Sequence, residues 1–431
     1  MLEHGCMIFE FRLRYESAAR HVLREDRLVW LRQRTCLAVF AFLLPIYLAR
    51  AAAISSPAEK IVLGMSTALT GPAADLGLNM RLGVDAALAE VNRAGGINGR
   101  MLELIALDDG YEPARAAPNT RELIDKHRVV AIIGNVGTPT AVASVPIAVE
   151  SGTPFYGAFT GAGMLRRSPP DRCVFNYRAS YAEETAAMVD ALVTKAGLKP
   201  DEIAFFTQRD TYGDAGFMGG MAALKRHRLT NEIAVAHVRY ERNTVAVEKA
   251  LATLLEHLPP PKAVIMVGAY APCAAFIRLA QQNELNALFL NVSFVGPTSL
   301  ARDLGARGDG VIVTQVVPHF ASELPIVQEY QRALRNVDPK AAPSFGSLEG
   351  YIATRILCRA LAGISGQPAR ASIVDALEGL NTFEIGLGEP LTLSKTEHQA
   401  SHRVWPTVLR GGKFIPLKWE ELAVRPGLSH D

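Results

Sequence analysis

Residues 61–109 read IVLGMSTALTGPAADLGLNMRLGVDAALAEVNRAGGINGRMLELIALDD, and their patterning decides the fold class. An apolar run, Ile61 to Met65, ends in small polar residues, and Gly71-Pro72 then turns the chain. Met80, Val84, Ala87, Leu88 and Val91 recur at the spacing of one face of a 3.6-residue helix. Gly95-Gly96 stops that helix, because glycine takes the positive φ that a helix end requires. Asn98-Gly99 is a tight-turn pair. A second strand, Met101 to Leu107, ends in Asp108-Asp109. Strand, helix and strand in this order predict a βαβ unit with parallel strands and a crossover helix.

Three features of this unit, TALTGPAADLG, the AGGINGR turn and the Asp-Asp ending, resemble the start of a periplasmic substrate-binding protein of the branched-chain (Leu/Ile/Val) amino-acid type. Such proteins capture ligands for ABC importers. TYGDAGF, YERNT, GAYAP, VVPHF and SLEGYIATRIL continue the resemblance in order along the chain. It implies two Rossmann-like lobes with parallel-rich sheets, joined by a three-crossover hinge around a ligand cleft. On that reading, residues 58–179 and 317–384 form lobe 1, and residues 180–316 and 385–420 form lobe 2.

Working outward from the first unit, the residues by themselves support the α/β class. Helices are expected over Arg121 to Lys126, to Val149, behind the capping box Ser180–Glu183, from Ala215, over Asn243 to Leu258, to Gln282, over Pro325 to Arg335, from Ser347 to Ala362 and over Ser372 to Leu380. Strands are expected at Val129 to Ile133, Thr153 to Phe159, Glu202 to Thr207, Ile233 to Tyr240, Ala263 to Val267, Leu288 to Val292 and Val311 to Val317. Short strands at Leu391 to Leu393, Arg403 to Arg410 and Lys413 to Leu417 close the chain around Gly411-Gly412. No low-complexity linker separates the lobes, which fits a hinge of crossing strands.

Ligands of open parallel sheets bind beyond the carboxyl ends of the strands, where helix N-termini offer free N–H groups to a carboxylate. The resemblance places Thr138 and Thr160 on the ligand carboxylate, with Val136, Gly137 and Ala158 contacting ligand through the backbone. From the residues alone, both threonines read better as helix N-caps, and it is the resemblance that reverses this. Tyr212 and Tyr270 match aromatics of the second lobe that close over the ligand; each also reads as a half-buried tyrosine at a strand end. Tyr156, Phe159, Phe294 and Phe320 read better as core than as cleft wall. Amino-acid-binding members carry an acidic residue just after the Gly-Pro that here is Gly296-Pro297, and it pairs with the ligand ammonium. This chain has Thr298 and Ser299 instead, and a buried ammonium without a carboxylate is costly. Asp210 and Glu349 are the carboxylates that could replace it, although each also reads as a solvated charge or a cap. An organic acid without an ammonium is the other solution.

Asp108-Asp109 reads as a loop-holding pair, because no third ligand of metal spacing accompanies it. No cofactor is expected: GxxxxGK[ST], GxGxxG after the first strand, HExxH, CxxC and GxSxG are all missing from the sequence. Asn291-Val-Ser293 matches a glycosylation acceptor by chance at a buried strand end. The 431 residues suit two domains, and 49% are hydrophobic. Of 45 Lys and Arg, eight precede Ala52, as do five of 43 Asp and Glu, leaving 37 basic against 38 acidic residues. That balance excludes a nucleic-acid footprint.

Residues 28–53 read as a secretory signal peptide, within an N-terminal extension spanning residues 1–53. Arg32 and Arg34 form its basic region, Cys36 to Leu48 its apolar core and Ala49-Arg50-Ala51 its cleavage site. An uncleaved tether is the alternative. The thirty or so residues before it suggest a translation start further downstream. The exported part retains Cys173, Cys273 and Cys358, which allow one disulfide at most and read best as buried thiols. The sequence therefore predicts a monomeric periplasmic receptor for a small carboxylate-bearing solute, delivering it to ABC permease and ATPase subunits. A ligand sensor of the same fold is the alternative. An enzyme lacks any catalytic constellation.

Overall fold

The computed structural model describes residues 59–424; the signal-peptide segment lies outside them. The first sheet has strand order β2-β1-β3-β4-β5, all parallel. Its strands are β1 (Ile61–Thr67), β2 (Leu102–Asp108), β3 (Ala131–Ile133), β4 (Phe155–Tyr156) and β5 (Val174–Phe175). The connecting helices are α1 (Ala74–Arg93), α2 (Pro113–Asp125) and α3 (Thr138–Glu150).

The second sheet begins after α4 (Tyr181–Thr194) and runs through β6 (Ile203–Gln208), α5 (Thr211–Arg226), β7 (His237–Tyr240), α6 (Glu248–Leu255), β8 (Ala263–Val267), α7 (Tyr270–Gln282), β9 (Leu288–Asn291), α8 (Pro297–Leu304) and β10 (Ile312–Gln315). The chain then returns to pack α9 (Pro325–Val337) and α10 (Phe345–Ala362) on α1, followed by α11 (Arg370–Glu378). A hairpin of β11 (Asn381–Phe383) and β12 (Leu391–Leu393) leads back to β13 (Trp405–Arg410) and β14 (Lys413–Pro416). These last two strands join the second sheet antiparallel, giving the order β14-β13-β10-β9-β8-β6-β7.

The chain thus passes between two sheet-bearing lobes three times: after β5, after β10 and after β12. The first and third crossings pair with each other. Asn176 N–H donates to the His398 carbonyl at 2.7 Å, Ala400 N–H to the Asn176 carbonyl at 2.9 Å and Ser401 N–H to the Tyr177 carbonyl at 2.8 Å.

Several elements differ from their sequence expectation, each for a local reason. Strand β4 keeps only two residues of Thr153 to Phe159, because Gly157 turns to φ +60. Ile233 to Tyr240 splits: the Asn231 side chain caps Ile233 N–H and winds Glu232–Ala234 into a single turn, so β7 starts at His237. Helix α6 starts at Glu248 rather than Asn243, because Asn243 sits at φ +59 with its amide bonded to Glu112 and the Gly110 carbonyl. Helix α10 is capped by Ser344, whose hydroxyl accepts from Ser347 N–H, one turn earlier than expected. Helix α2 starts at Pro113, ahead of the apolar residues that betrayed its end. The Ser180–Glu183 capping box forms as read. Cys173, Cys273 and Cys358 are free and buried. Among the described residues no helix is long and apolar enough to cross a membrane.

Candidate functional site

The ends of β1 and β2 are tied together by the acidic pair. Asp108 accepts from Leu69 N–H (2.8 Å), the Thr70 hydroxyl (2.6 Å), Gly110 N–H (3.0 Å) and Arg115 (2.8 Å). Asp109 accepts from the Ser66 hydroxyl (2.8 Å) and Tyr111 N–H (2.9 Å). Burial acts to raise the Asp108 pKa, but the bonds from Thr70, Leu69, Arg115 and Gly110 outweigh it and hold the carboxyl well below the usual range. Asp108→Asn is expected to cost about 2 kcal/mol at pH 7, since hydrogen bonds to a charged group are worth roughly 1.5–3 kcal/mol. The folded pKa lies below the unfolded one. The contribution is therefore complete above the unfolded pKa and lost as pH falls through the folded one. Chemical denaturation at pH 7 and pH 3 should show the variant's deficit shrinking at the lower pH.

The pair's work is to aim Tyr111 into the space between the lobes. Tyr111 is fully buried, at φ +64. Its ring lies against Gly137, where an added Cβ would come 2.0 Å from the Tyr111 Cε2. Gly137 itself has φ +100 and is the N-cap of α3. Thr138, the first residue of α3, is therefore not spent on capping. Its hydroxyl meets that of Thr160 at 2.7 Å, and both residues are buried. The Thr160 hydroxyl also accepts a longer bond from Ala162 N–H at 3.3 Å. Val136 is buried beneath them and bridges to Phe159; Ala158 is buried alongside. Five of the sequence-derived residues, Val136, Gly137, Thr138, Ala158 and Thr160, thus form one contiguous patch of lobe 1.

The second lobe supplies aromatics. Phe294, in the loop after β9, is the hub: its ring centroid lies 4.6 Å from Tyr212, 5.4 Å from Phe159 and 5.9 Å from Tyr111. Tyr212 is fully buried, stands 5.1 Å from Tyr181 and donates to the Gly268 carbonyl at 3.2 Å. Tyr270 and Thr298 sit on another side of the interface. An added Cβ at Gly296 would lie 3.2 Å from Tyr270 and 2.8 Å from Leu76 of lobe 1. Thr298 lines a small cavity there with Asp75, Leu76, Asn79, Phe159, Ser344, Phe345 and Gly346. The eight sequence-derived residues therefore surround the lobe interface rather than one pocket. Phe159 and Phe294 are buried core residues, as read, and their rings also meet across the lobe interface. Tyr156 is core, and Phe320 packs on His319 and Phe345.

Pattern reading missed the charged centre of this interface. Arg178 follows β5 and is completely buried. Its guanidinium carbon stands 4.8 Å from the Phe159 ring centroid and 5.9 Å from that of Tyr181. Its Nη2 donates to the Ser293 hydroxyl, and its Nε and Nη1 have no hydrogen-bond partner. Two carboxylates flank it, Glu184 and Glu349, each with an oxygen at 3.6 Å. Glu184 is saturated by Ser293 N–H (2.8 Å), the Ser293 hydroxyl (2.9 Å) and the Thr314 hydroxyl (2.6 Å). Glu349 is 3% exposed, so it is neither a solvated charge nor a cap. Burial pushes its carboxyl up to about 7, against the pull of Arg178. Asp210, the other candidate carboxylate, caps α5 through Tyr212 N–H and contacts Gln208 at 2.6 Å.

Polar contacts across the interface hold the lobes together. Asp75 accepts from Ser299 (2.7 Å) and Arg302 (2.9 Å), Glu112 from Arg242 (2.8 Å) and Asn243 (2.6 Å), and the Tyr111 hydroxyl from Gln208 (3.1 Å). The structure is that of a closed two-lobed molecule. Among the described residues no group of three or more His, Cys, Asp or Glu could hold a metal ion.

Two α/β lobes closed over buried hydroxyls, aromatics and an arginine define a protein that captures a ligand between domains. The family described as periplasmic binding protein matches residues 60–413, and the chain belongs to it, in the type I, Leu/Ile/Val-binding branch. A solved structure of "a possible leucine/isoleucine/valine-binding protein" from Rhodopirellula baltica SH 1 is 56% identical, with a TM-score of 0.83. It covers 85% of this chain and 98% of its own. A substrate-binding periplasmic protein from Ralstonia solanacearum is 28% identical, covering 83% of this chain and all of its own, with a TM-score of 0.76. An amino acid binding protein from Pseudomonas aeruginosa is 26% identical over 258 residues, 59% of this chain and 66% of its own length. The names describe binding proteins, not enzymes.

Proposed function

We propose that the protein is the periplasmic solute-binding component of an ABC importer and that it takes a small solute bearing a carboxylate, an amino acid or a related organic acid. The observation carrying this reading is the buried pair of hydroxyls, Thr138 and Thr160, 2.7 Å apart at the start of α3. The two hydroxyls bond each other. A carboxylate between them would accept from both hydroxyls and from the free N–H groups of the α3 first turn, at the positive end of the helix dipole. Val136, Gly137 and Ala158 would shape the backbone around it, with Tyr212, Tyr270 and Thr298 approaching from the second lobe. Ligand energy would then shift the population from open to closed, and the closed form would dock on permease and ATPase subunits. Export through the segment 28–53 would place a monomer in the periplasm.

Thr138→Ala and Thr160→Ala are each expected to weaken solute binding about ten-fold, since a hydrogen bond to a charged group is worth roughly 1.5–3 kcal/mol. Titration calorimetry on the protein, unfolded and refolded to strip bound solute, reads the change. Undiminished affinity in both variants would remove the carboxylate assignment.

A further inference from the structure

We propose that the solute is a monocarboxylate with an extended aliphatic tail and no ammonium, and that the tail lies in the groove between α3 and α5. This rests on the Thr138–Thr160 reading of the carboxylate and adds where the rest of the ligand goes.

The first support is the space beside the hydroxyl pair. Thr138 lines a groove of about 550 Å³, together with Val142 of α3, the 161–164 segment, Ala182 of α4 and one face of α5. That volume is in the range of small-ligand sites. The cavity at Thr298 is about 20 Å³, room for a water or two. In the closed molecule the bulk of a solute therefore has room on the Thr138 side and not on the Thr298 side. Thr138 and Val142 stand one helical turn apart on the same face of α3, so a carboxylate at Thr138 leads its tail past Val142. Small residues keep the space open: an added Cβ at Gly163 would meet no atom within 4 Å.

The second support is the chemistry of the walls. Thr211, Ala215, Met218 and Ala222 line the groove and recur at the spacing of one helical face of α5. Ala222 stands about 16 Å along the helix axis from Thr211, at roughly 1.5 Å per residue. The groove is thus long as well as apolar. Met218 is 68% exposed and Val142 39%, and they come from opposite lobes. Apolar side chains left open on both sides of one groove mark a contact surface. A tail between them is covered by both lobes at once, so its apolar area favours the closed form. Among the described residues lining the groove the single carboxylate is Asp214, and Arg239 already donates to it at 2.6 Å. An ammonium carried into the groove therefore finds no open acid.

The test is titration calorimetry on refolded protein with straight-chain acids from butanoate to decanoate, kept below their micelle-forming concentrations, and with the matching 2-amino acids and primary amides. In wild type, affinity should rise about two- to four-fold per added methylene, the upper value being that of full burial. Each acid should bind at least as tightly as its 2-amino counterpart. The double variant Val142→Ser, Met218→Ser should flatten the rise, and its ligand-free unfolding midpoint should stay within a few degrees of wild type because both side chains are exposed. Acids that bind with no rise along the series, a tighter 2-amino member, or an undiminished rise in the double variant overturns the inference and leaves the carboxylate reading standing. Amides that match their acids while keeping the rise overturn the carboxylate reading and leave only the tail's place in the groove. Binding of no member of any series overturns both.

Discussion

Arg178→Ala is expected to destabilise the protein by about 3–5 kcal/mol at pH 8, the usual consequence of removing one member of a buried ion pair. The physical cause is the two carboxylates left behind. Glu184 and Glu349 are buried to 0% and 3% exposure, and Arg178 is the neighbour that most lowers the pKa of each against the cost of burial. Without it, both carboxyls titrate at still higher pH. A carboxyl whose folded pKa lies above its unfolded value binds more protons folded than unfolded, so stability falls as pH rises through that range. The deficit of the alanine variant should therefore shrink on going from pH 8 to pH 5.5. Denaturant titrations of variant and wild type at both pH values check this. An equal deficit at the two values would mean that the lost packing on Phe159 and Tyr181, not charge, dominates.

The second large effect is predicted for Gly83→Ala, far from any charge. Gly83 on α1 faces α10, and a Cβ there would come 1.9 Å from the Ser347 carbonyl oxygen and 2.7 Å from the Tyr351 nitrogen. The reciprocal notch is Gly350, whose added Cβ would meet the Met80 carbonyl at 2.3 Å. Both obstacles are helix backbone, which cannot swing aside as a side chain can. Overpacking of this kind costs typically 1–3 kcal/mol, and the rigid obstacle places it at about 3. The better helix propensity of alanine returns only about 1 kcal/mol. Helix α10 must also shift, and it carries Phe345 and Glu349 to the lobe interface. A lower unfolding midpoint together with weaker solute binding is the expected pair of results. An unchanged midpoint would show that the helices separate freely.

The contrast between these two sites indicates what a sequence can disclose. The first βαβ unit was legible because α1 has a clear helical period and its ends carry Gly95-Gly96 and Asn98-Gly99. The Ser180–Glu183 capping box was legible because its chemistry is local. Thr138 and Thr160 were reachable only because parallel strands present their carboxyl ends together and a family resemblance singled them out. Arg178, Glu184 and Glu349 carried no local signal: they come from a strand end, a helix and a distant helix, and their burial exists only once both lobes are assembled. Tyr111 and Phe294 were hidden for the same reason, since an aromatic in a loop looks alike whether it faces core or cleft. Strands β4 and β5 have two residues each, too few for any period. Glu349 is visible in the sequence as a carboxylate, but its burial is not, because it sits in a helix whose residues are largely apolar on every side.

The central claim is that a carboxylate-bearing solute binds between the lobes on Thr138 and Thr160. The most direct measurement is the unfolding midpoint of refolded protein and of a Thr138→Ala, Thr160→Ala double variant, against a panel of amino acids, organic acids and the corresponding amides. A solute that binds only the folded state raises the midpoint by an amount set by its excess over Kd. The account predicts a concentration-dependent rise with at least one carboxylate-bearing solute, a smaller rise or none with its amide, and loss of the response in the double variant. An amide that stabilises as well as its acid, or a double variant that responds as wild type does, would contradict it.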